Sequence, residues 1–272
     1  MSGQTRGGLE RLSALGRDIL RRLPWWVWVV APIAIVIFAM YGGFPAEDRL
    51  FVFQGVIQGL VVGSIYVLGA SGLSLTYGIK KFANFAHGDM MTVGMYAAFT
   101  VNVLYRRDII WGFLFAMLTV AMLGVLLELS IFRRLERRGE IAALIASVGV
   151  SLVLQNVISV IFLTEVSYLN VIIPQDFSIL NTGLTFNLLK GGLTIGLAVF
   201  LMVFLHVLLR YTTLGKAMRA SADDLDLART AGINTHNVIL WTWAISGALA
   251  GIAGVLLAII VNVYPYAGFF IL

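Results

Sequence analysis

Long apolar runs separated by short basic segments constrain this chain more than any other feature of its sequence. The runs lie at about 23–43, 51–78, 83–105, 109–132, 141–164, 191–210 and 237–263. Most reach the roughly 17 to 25 residues that a helix needs to cross a bilayer. Charged residues make up only 12% of the chain, about half the fraction in soluble domains. The sequence therefore predicts an all-α, polytopic membrane protein with about seven transmembrane helices.

The distribution of basic residues predicts the orientation. With the amino terminus inside, fifteen of the 19 Lys and Arg residues fall in cytoplasmic segments and four fall outside. Lys and Arg accumulate in cytoplasmic loops, so a cytoplasmic amino terminus is expected. Arg106 and Arg107 are a local exception, outweighed by the arginines at 133, 134, 137 and 138. Membrane orientation also explains the high pI without a nucleic-acid partner.

The amino-terminal region divides by composition. Residues 1–22 form a basic arm, and 23–43 is expected to be an uncleaved anchor helix beginning near Trp25 and Trp26. A signal peptide is the alternative, but no small-x-small cleavage site follows the run cleanly. The rest, 50–272, is expected to form one membrane domain.

Paired glycines predict where helices approach closely. Gly59 with Gly63 and Gly247 with Gly251 are spaced four residues apart. Small residues at this spacing allow two helix backbones to come into contact inside a membrane. We interpret both pairs as packing sites rather than ligand sites.

Polar residues within the apolar runs are candidates for function. Asn84, His87 and Asp89 open the third run, and they could form a helix cap or a polar part of a permeation path. The cap is favoured because Lys80 and Lys81 are near.

Three more polar residues lie in later runs. Glu128 is expected to reach the membrane surface or to pair with the cluster that begins at Arg133. Gln155 and Asn156 lie in the middle of a run, where hydrogen bonding between helices or the lining of a cavity would explain them.

Missing motifs give little support for an integral membrane enzyme. The chain contains no Gly-x-x-x-x-Gly-Lys-Ser/Thr loop, no His-Glu-x-x-His and no Gly-x-Ser-x-Gly elbow. It also contains no cysteine, which excludes disulfides and thiolate metal sites. The sequence gives no support for catalysis, a metal site or nucleotide binding by this chain.

Between the sixth and seventh runs lies a charged, helix-prone insert, 214–234. A helical wheel separates an apolar face from a charged one, and Gly232 is expected to end the helix. Asp226 and Arg229 are spaced to pair. The apolar positions are Leu214, Met218, Ala222, Leu225 and Ala228, and the polar ones are Lys216, Arg219, Asp223, Asp226 and Thr230. From the residues alone, a helix lying on the membrane surface and a docking helix for a cytoplasmic partner remain equal alternatives.

Four motifs resemble those of permease subunits of branched-chain amino acid-type ABC importers. The insert is similar to the cytoplasmic coupling loop of that family, and the motifs occur in the family's order across about 50–272. They are Tyr77-Gly-Ile with Asn84-Phe-Ala-His-Gly-Asp89, the run Leu144 to Asn156, Arg219-Ala-x-Ala-Asp-Asp224 with Ala231-Gly-Ile-Asn234, and Tyr264-Pro-Tyr-Ala-Gly268.

The resemblance implies a non-enzymatic transport subunit in the cytoplasmic (inner) membrane of a prokaryote. Its partners would be membrane lipid, a second permease that is homologous or identical, two cytoplasmic ATPase subunits and an external substrate-binding protein. ATP and Mg would bind the ATPases, with no cofactor on this chain. The residues implied to couple to the ATPase are Arg219, Asp223, Asp224, Ala231, Gly232 and Ile233. The outer loop 165–190, with Pro174 and Asp176, could contact the binding protein or merely cover the surface.

The resemblance has two departures and leaves the substrate open. The run 23–43 precedes the family's usual start, and the family's usual carboxyl-terminal spans are expected to be missing after Leu272. Branched-chain amino acids are the first substrate expectation, with other amino acids, urea and short amides as further ones. Two other functions stay open, namely an ATP-independent secondary transporter or channel and a structural subunit without a path of its own.

Overall fold

The described part of the chain divides into two units. In the computed structural model, the described residues are 34, 38, 46–135, 138–163, 165–171, 177–179 and 184–271. One unit comprises 1–56 with 179–184, and the other comprises 57–178 with 185–272. All candidate functional residues belong to the second unit. The predicted arm at 1–22, most of the predicted anchor helix at 23–43, and Pro174 and Asp176 lie outside the described residues.

Helices dominate the described residues, as the sequence predicts. The helices are α1 (Ala46–Lys80), α2 (His87–Phe99), α3 (Ile109–Leu127), α4 (Glu140–Phe162), α5 (Leu193–Tyr211), α6 (Thr213–Asp223), α7 (Leu225–Thr230) and α8 (Thr235–Ile260). Five-residue π-helical turns follow α2 and α3 and precede α5, at Thr100–Leu104, Glu128–Phe132 and Leu188–Gly192. One more helical turn, Arg133–Leu135, continues the second of these. Two three-residue strands, β1 (Phe177–Ile179) and β2 (Leu184–Phe186), pair with each other. The all-α, polytopic class is confirmed.

Five helices are long and apolar enough to cross a membrane within the described residues. They are Leu50–Lys80, Ile109–Leu135, Glu140–Phe162, Leu188–Tyr211 and Thr235–Ile260. Each agrees with a predicted apolar run to within a few residues, since length and apolar composition define both. The predicted count of seven is not confirmed.

The predicted span at 83–105 is not one uninterrupted helix. Residues 81–86 are not helical, and α2 starts only at His87. With its π-helical turn, α2 extends from His87 to Leu104, and this segment carries Asp89 and Asn102. Eleven residues of α2 are buried. This segment is therefore an internal helix surrounded by protein, and its polar side chains are shielded from lipid.

Helix α8 is the centre of the second unit, where it packs against α2 and α3. In its most apolar window, 78% of the residues are buried, against 11% to 33% in the other four long helices. Glycines permit this packing. A Cβ atom on Gly251 would lie 2.7 Å from the carbonyl oxygen of Ala116, and one on Gly247 would lie 2.5 Å from that of Val120. The predicted packing role of Gly247 and Gly251 is confirmed.

Gly59 and Gly63 do not show the same packing. A Cβ atom built on either residue meets no atom of the described chain within 4 Å. The spacing of glycines along the sequence is the same on both helices, so it cannot distinguish a buried face from an open one. Within the described residues this pair makes no close packing contact, and the alternative that it packs against another subunit stays a prediction.

We expect Gly251→Leu to destabilise the fold and Gly59→Leu to be tolerated. The first substitution forces side-chain atoms against backbone, and such overpacking costs about 1–3 kcal/mol. The second points into open space. Denaturant unfolding of the purified chain in detergent measures the difference. Equal unfolding midpoints for the two variants would contradict this account of the packing.

Candidate functional site

The insert between the last two long helices folds into two short helices rather than one. Helix α6 ends at Asp223, and Asp224 adopts an extended conformation, with φ −152° and ψ 114°. Its Oδ1 atom accepts hydrogen bonds from the backbone N–H groups of Asp226 and Leu227, both at 2.9 Å. Asp224 is thus the N-cap of α7. The prediction of one continuous helix over this insert is wrong, because a well-placed Asp starts a new helix at this point.

The two short helices nevertheless keep the predicted amphipathic character. Met218 and Ala228 are buried, and Leu214, Ala222 and Leu225 are partly buried against the main core. The predicted polar positions, from Lys216 to Thr230, are all exposed. The apolar stripe thus attaches α6 and α7 to the helical bundle, and their charged residues face away from it. Their exposed surface also includes Leu227, which is 67% exposed.

The turn after α7 is built by Gly232, as predicted. Gly232 has a φ of +86°, a left-handed conformation that glycine adopts without steric cost. Its N–H donates to the carbonyl of Arg229, and the N–H of Ile233 donates to that of Ala228, both at 3.1 Å. This pair of bonds defines a Schellman motif. The predicted Asp226–Arg229 pair is also present, at 3.4 Å.

A tight corner joins α5 to α6. The hydroxyl of Thr212 accepts a hydrogen bond from the N–H of Gly215 at 3.0 Å and donates one to the carbonyl of Leu208 at 2.5 Å. A Cβ atom on Gly215 would lie 2.2 Å from that same carbonyl oxygen. The corner can therefore form only with a glycine at this position. It orients α6 directly from the end of a long apolar helix.

The residues that the resemblance assigns to coupling fall into two groups on this element. Arg219, Asp223 and Asp224 lie around the end of α6, whereas Ala231 and Gly232 lie in the turn after α7, and all five are exposed. Ile233 is partly buried and packs against the core. The structure thus brings the predicted residues to one small element, with Ile233 facing the bundle rather than solvent.

Two neighbouring lysines connect α1 to other parts of the chain. Lys80 forms a salt bridge with Glu128 at 2.9 Å, with side-chain exposures of only 7% and 3%. Lys81 reaches α6, where its Nζ atom donates to the carbonyl of Ala222 at 2.7 Å. Glu128 is therefore paired with a lysine from a distant segment. Part of the cluster that begins at Arg133 lies outside the described residues, and its expected pairing with Glu128 stays a prediction.

A cluster of buried polar side chains joins α2 to α4. Asp89 is fully buried and accepts hydrogen bonds from the hydroxyl of Ser151 and from Nε2 of Gln155, the latter at 3.0 Å. One turn earlier on α4, the hydroxyl of Ser147 accepts a bond from the N–H of Phe85 at 3.1 Å. The cluster therefore holds both the start of α2 and the segment before it.

The cap that the sequence favours is present only in part, because Asn84 satisfies the N–H of Ala86 just before α2, whereas Asp89 makes no capping bond. The N-cap residue of α2 is Ala86, which makes no side-chain capping bond. Asn84 instead accepts a bond from the N–H of Ala86 at 3.2 Å, and Nε2 of His87 lies 3.1 Å from the carbonyl oxygen of Gly69 in α1. These polar groups thus face neighbouring helices or the loop. None of them accepts a hydrogen bond from a backbone N–H in the first turn of α2.

Gln155 and Asn156 have different surroundings although they are adjacent in sequence. Gln155 bonds to Asp89 across helices, but Asn156 is exposed and donates only to the carbonyl of Leu152 in its own helix, at 2.7 Å. Sequence reasoning missed Ser147 and Ser151. The signal was present in the four-residue spacing of positions 147, 151 and 155, which places three polar residues on one face of α4.

Among the described residues, no group of three His, Asp or Glu side chains lies close enough to hold a metal ion. The polar cluster consists of one carboxylate with a hydroxyl and an amide donor. It is suited to hydrogen bonding between helices.

We expect Gln155→Leu to destabilise the chain, whereas Asn156→Leu should leave stability nearly unchanged. The first removes one of the two side-chain donors to a buried carboxylate, at a cost of about 1–2 kcal/mol. The second removes a bond within one helix. Unfolding of both variants in detergent is the measurement. A larger loss for Asn156→Leu would rule out the cluster as a stabilising contact.

We expect strong coupling between Lys80 and Glu128. Breaking a buried ion pair by removing one partner costs about 3–5 kcal/mol, because the other charge stays buried. Lys80→Met should therefore unfold much more easily than wild type, and adding Glu128→Leu should restore part of the loss. A double-mutant cycle measures the interaction, and purely additive effects would contradict it.

Comparisons with known proteins agree with this architecture. Residues 55–272 match the model of a protein family. This family is described as "Branched-chain amino acid transport system / permease component". Over 239 residues, the chain is 34% identical to the high-affinity branched-chain amino acid transport system permease protein LivH of Salmonella typhimurium, with 82% of this chain and 76% of the relative covered.

Two further relatives extend the comparison. Over 217 residues, the chain is 31% identical to the high-affinity branched-chain amino acid transport system permease protein BraD of Pseudomonas aeruginosa, covering 75% of this chain and 70% of that protein. Over 225 residues, it is 30% identical to the probable branched-chain amino acid transport permease protein LivH of Methanocaldococcus jannaschii, covering 78% and 69%. No solved structure matches the chain. The match to the family model covers most of this multi-pass membrane protein, which therefore belongs to the family of branched-chain amino acid transport permease components.

Proposed function

We propose that this chain is the permease subunit of an ATP-driven importer that carries branched-chain amino acids across the inner membrane. The names of three relatives, which are branched-chain amino acid permeases, support the substrate class. Related amino acids, urea and short amides are the competing substrates. This chain would form the path and would not hydrolyse ATP.

The observation that carries the coupling proposal is the division of α6 and α7 into two faces. Their apolar residues are packed on the bundle, while Arg219, Asp223 and Asp224 are exposed at one end. In an otherwise apolar chain, an exposed charged element of this kind fits a soluble partner. We assign that partner as an ATPase subunit, which binds ATP and Mg itself. Movement of α6 would reach α5 through the rigid corner at Gly215.

The complete importer would contain this chain, a homologous or identical second permease, two ATPase subunits and an external binding protein. The coupling element and the amino terminus would lie in the cytoplasm, with 1–22 as a basic arm and 23–43 as an anchor helix. The permease domain would be 50–272. The charge asymmetry of the sequence supports this orientation.

Within the domain, we propose that the segment entering α2 lines the path. Asn84 and His87 belong to this segment, and Asp89 with Gln155 attaches it to α4. Asn156 lies outside that group of contacts and is assigned no part in the path.

We expect exchanging the charges of Arg219 and Asp223, through Arg219→Glu with Asp223→Lys, to abolish association with the ATPase subunits. Both side chains are exposed, so the exchange should leave the fold of this chain intact and keep its net charge. Co-purification with the ATPases gives the result. Arg138→Glu, at an exposed position between α3 and α4, is the control and should still associate.

Asp224 needs a gentler substitution, because it also caps α7. Asp224→Asn keeps the capping oxygen and removes the charge.

Unaltered ATPase binding by the charge-exchanged variant, Arg219→Glu with Asp223→Lys, would overturn the coupling proposal. It would favour an ATP-independent transporter or channel, with flux that follows an ion gradient.

The substrate proposal is tested by uptake of labelled leucine, isoleucine and valine into proteoliposomes that contain the whole importer and its binding protein. We expect saturable uptake that requires ATP inside and is competed by the three amino acids more strongly than by urea or short amides. Stronger competition by urea would move the assignment to that substrate class.

A further inference from the structure

Helix α2 begins deep inside the bundle rather than at a membrane surface. His87 contacts the carbonyl of Gly69, which lies eleven residues before Lys80 at the end of α1. At 1.5 Å per residue this is about 16 Å along α1, or about half of a hydrocarbon core of roughly 30 Å. Residues 81–86 therefore run back into the bundle before α2 starts.

A second irregular segment reaches the same place from the other end of the chain. After α8, the residues around Gly268 fold back, and the N–H of Gly268 donates to the hydroxyl of Thr92 in α2 at 3.0 Å. A Cβ atom on Gly88 would lie only 2.6 Å from the carbonyl oxygen of Gly268. Two of the family-like motifs thus meet at the first turn of α2. Non-helical backbone at this depth is tolerated where protein covers it or where it lines a cavity.

A cavity of about 290 Å³ lies at this meeting point. Another cavity, of about 330 Å³, lies elsewhere in the chain. The cavity at the meeting point is lined by Leu73, Ala83, Asn84, Phe85, Gly88 and Phe269. No lining side chain carries a charge. Phe85 and Phe269 are about half exposed, so the cavity opens at the surface of this chain. A second permease packed there would complete its wall.

Asn84 supplies an unused hydrogen-bond donor to this cavity. The residue is 2% exposed, and its Nδ2 atom has no partner among the described residues. The orientation of the amide follows from its other atom, because Oδ1 accepts the bond from the N–H of Ala86. A buried amide donor without an acceptor is costly, and a ligand oxygen in the cavity would satisfy it.

The start of α2 adds a second attraction for a negatively charged group. Its N-cap, Ala86, provides no side-chain acceptor for the first N–H groups. The amino terminus of a helix carries a partial positive charge and attracts anions. Asp89, the acidic residue of this turn, does not line the cavity, and its carboxylate is bound by Ser151 and Gln155 of α4.

We propose that this cavity binds the transported amino acid, with Asn84 Nδ2 and the amino terminus of α2 holding its carboxylate. Leu73, Phe85 and Phe269 provide apolar contacts for an aliphatic side chain. The assignment rests on the proposed function, since it names the site at which the importer would hold its substrate.

Asn84→Asp is the decisive substitution. The new side chain keeps an oxygen that can accept the hydrogen bond from the N–H of Ala86. It replaces the free Nδ2 donor by a second carboxylate oxygen, which repels the carboxylate of the substrate. We expect leucine uptake by the assembled importer to fall roughly tenfold or more, the loss expected for a hydrogen bond to a charged group. ATPase association should be retained. Asn170→Asp, the same change at an exposed position outside the long helices, should transport normally.

Occupancy can be followed with a single cysteine, because the chain has none of its own. In the assembled importer, leucine should slow the modification of Leu73→Cys by a small neutral thiol reagent. Leucinol, which has the same side chain but no carboxylate, should protect much less, and Asn84→Asp should abolish the protection by leucine. Tyr105→Cys, at an exposed position outside the long helices, is the control whose reactivity leucine should not change.

Three results would overturn the assignment and leave the proposed function standing. They are normal leucine uptake by Asn84→Asp, equal protection by leucine and leucinol, and normal wild-type uptake without protection at Leu73→Cys. Failure of the wild-type importer to bind its ATPases or to take up any amino acid would instead reject the proposed function.

Discussion

Close contact between the backbones of α8, α2 and α3 is the constraint on which the rest of the structure depends. Lipid is as apolar as a leucine side chain, so burial from water does not bring helices together within a membrane. Glycines on α8 permit the contact, since Cβ atoms at Gly247 and Gly251 would meet carbonyl oxygens of α3. On its other side, a Cβ on Gly254 would meet the carbonyl oxygen of Met91 in α2.

This packing explains how the chain can keep polar groups and irregular backbone inside a membrane. Helix α2 packs against α8, α3 and α4, so its first turn is covered by protein rather than by lipid. The buried carboxylate of Asp89 is satisfied by donors from α4. The centre of the bundle is thus both the most tightly packed region and the one that contains the broken helix.

The same helix connects the interior with the proposed coupling element. Only two residues separate Gly232 from the start of helix α8, and α8 continues past Ser246, whose hydroxyl donates to the carbonyl of Gly72 at 2.8 Å. A displacement of α6 and α7 would therefore act on α8 and on α5 together. Lys81 provides a further contact, from α6 to the segment that leads into α2. These connections offer a physical route from the proposed ATPase partner to the proposed path.

The sequence by itself determined the membrane class, the five long helices, the two faces of the proposed coupling element and the turn at Gly232. These features depend on local composition, on helical periodicity and on the conformational freedom of glycine. Only the tertiary structure decided that Lys80 is the partner of Glu128, that Gly59 is open where Gly251 is packed, and that Asn84 faces a cavity while Asp89 faces α4. Such outcomes depend on which distant helix lies opposite a residue, and neither spacing nor composition within one segment contains that information.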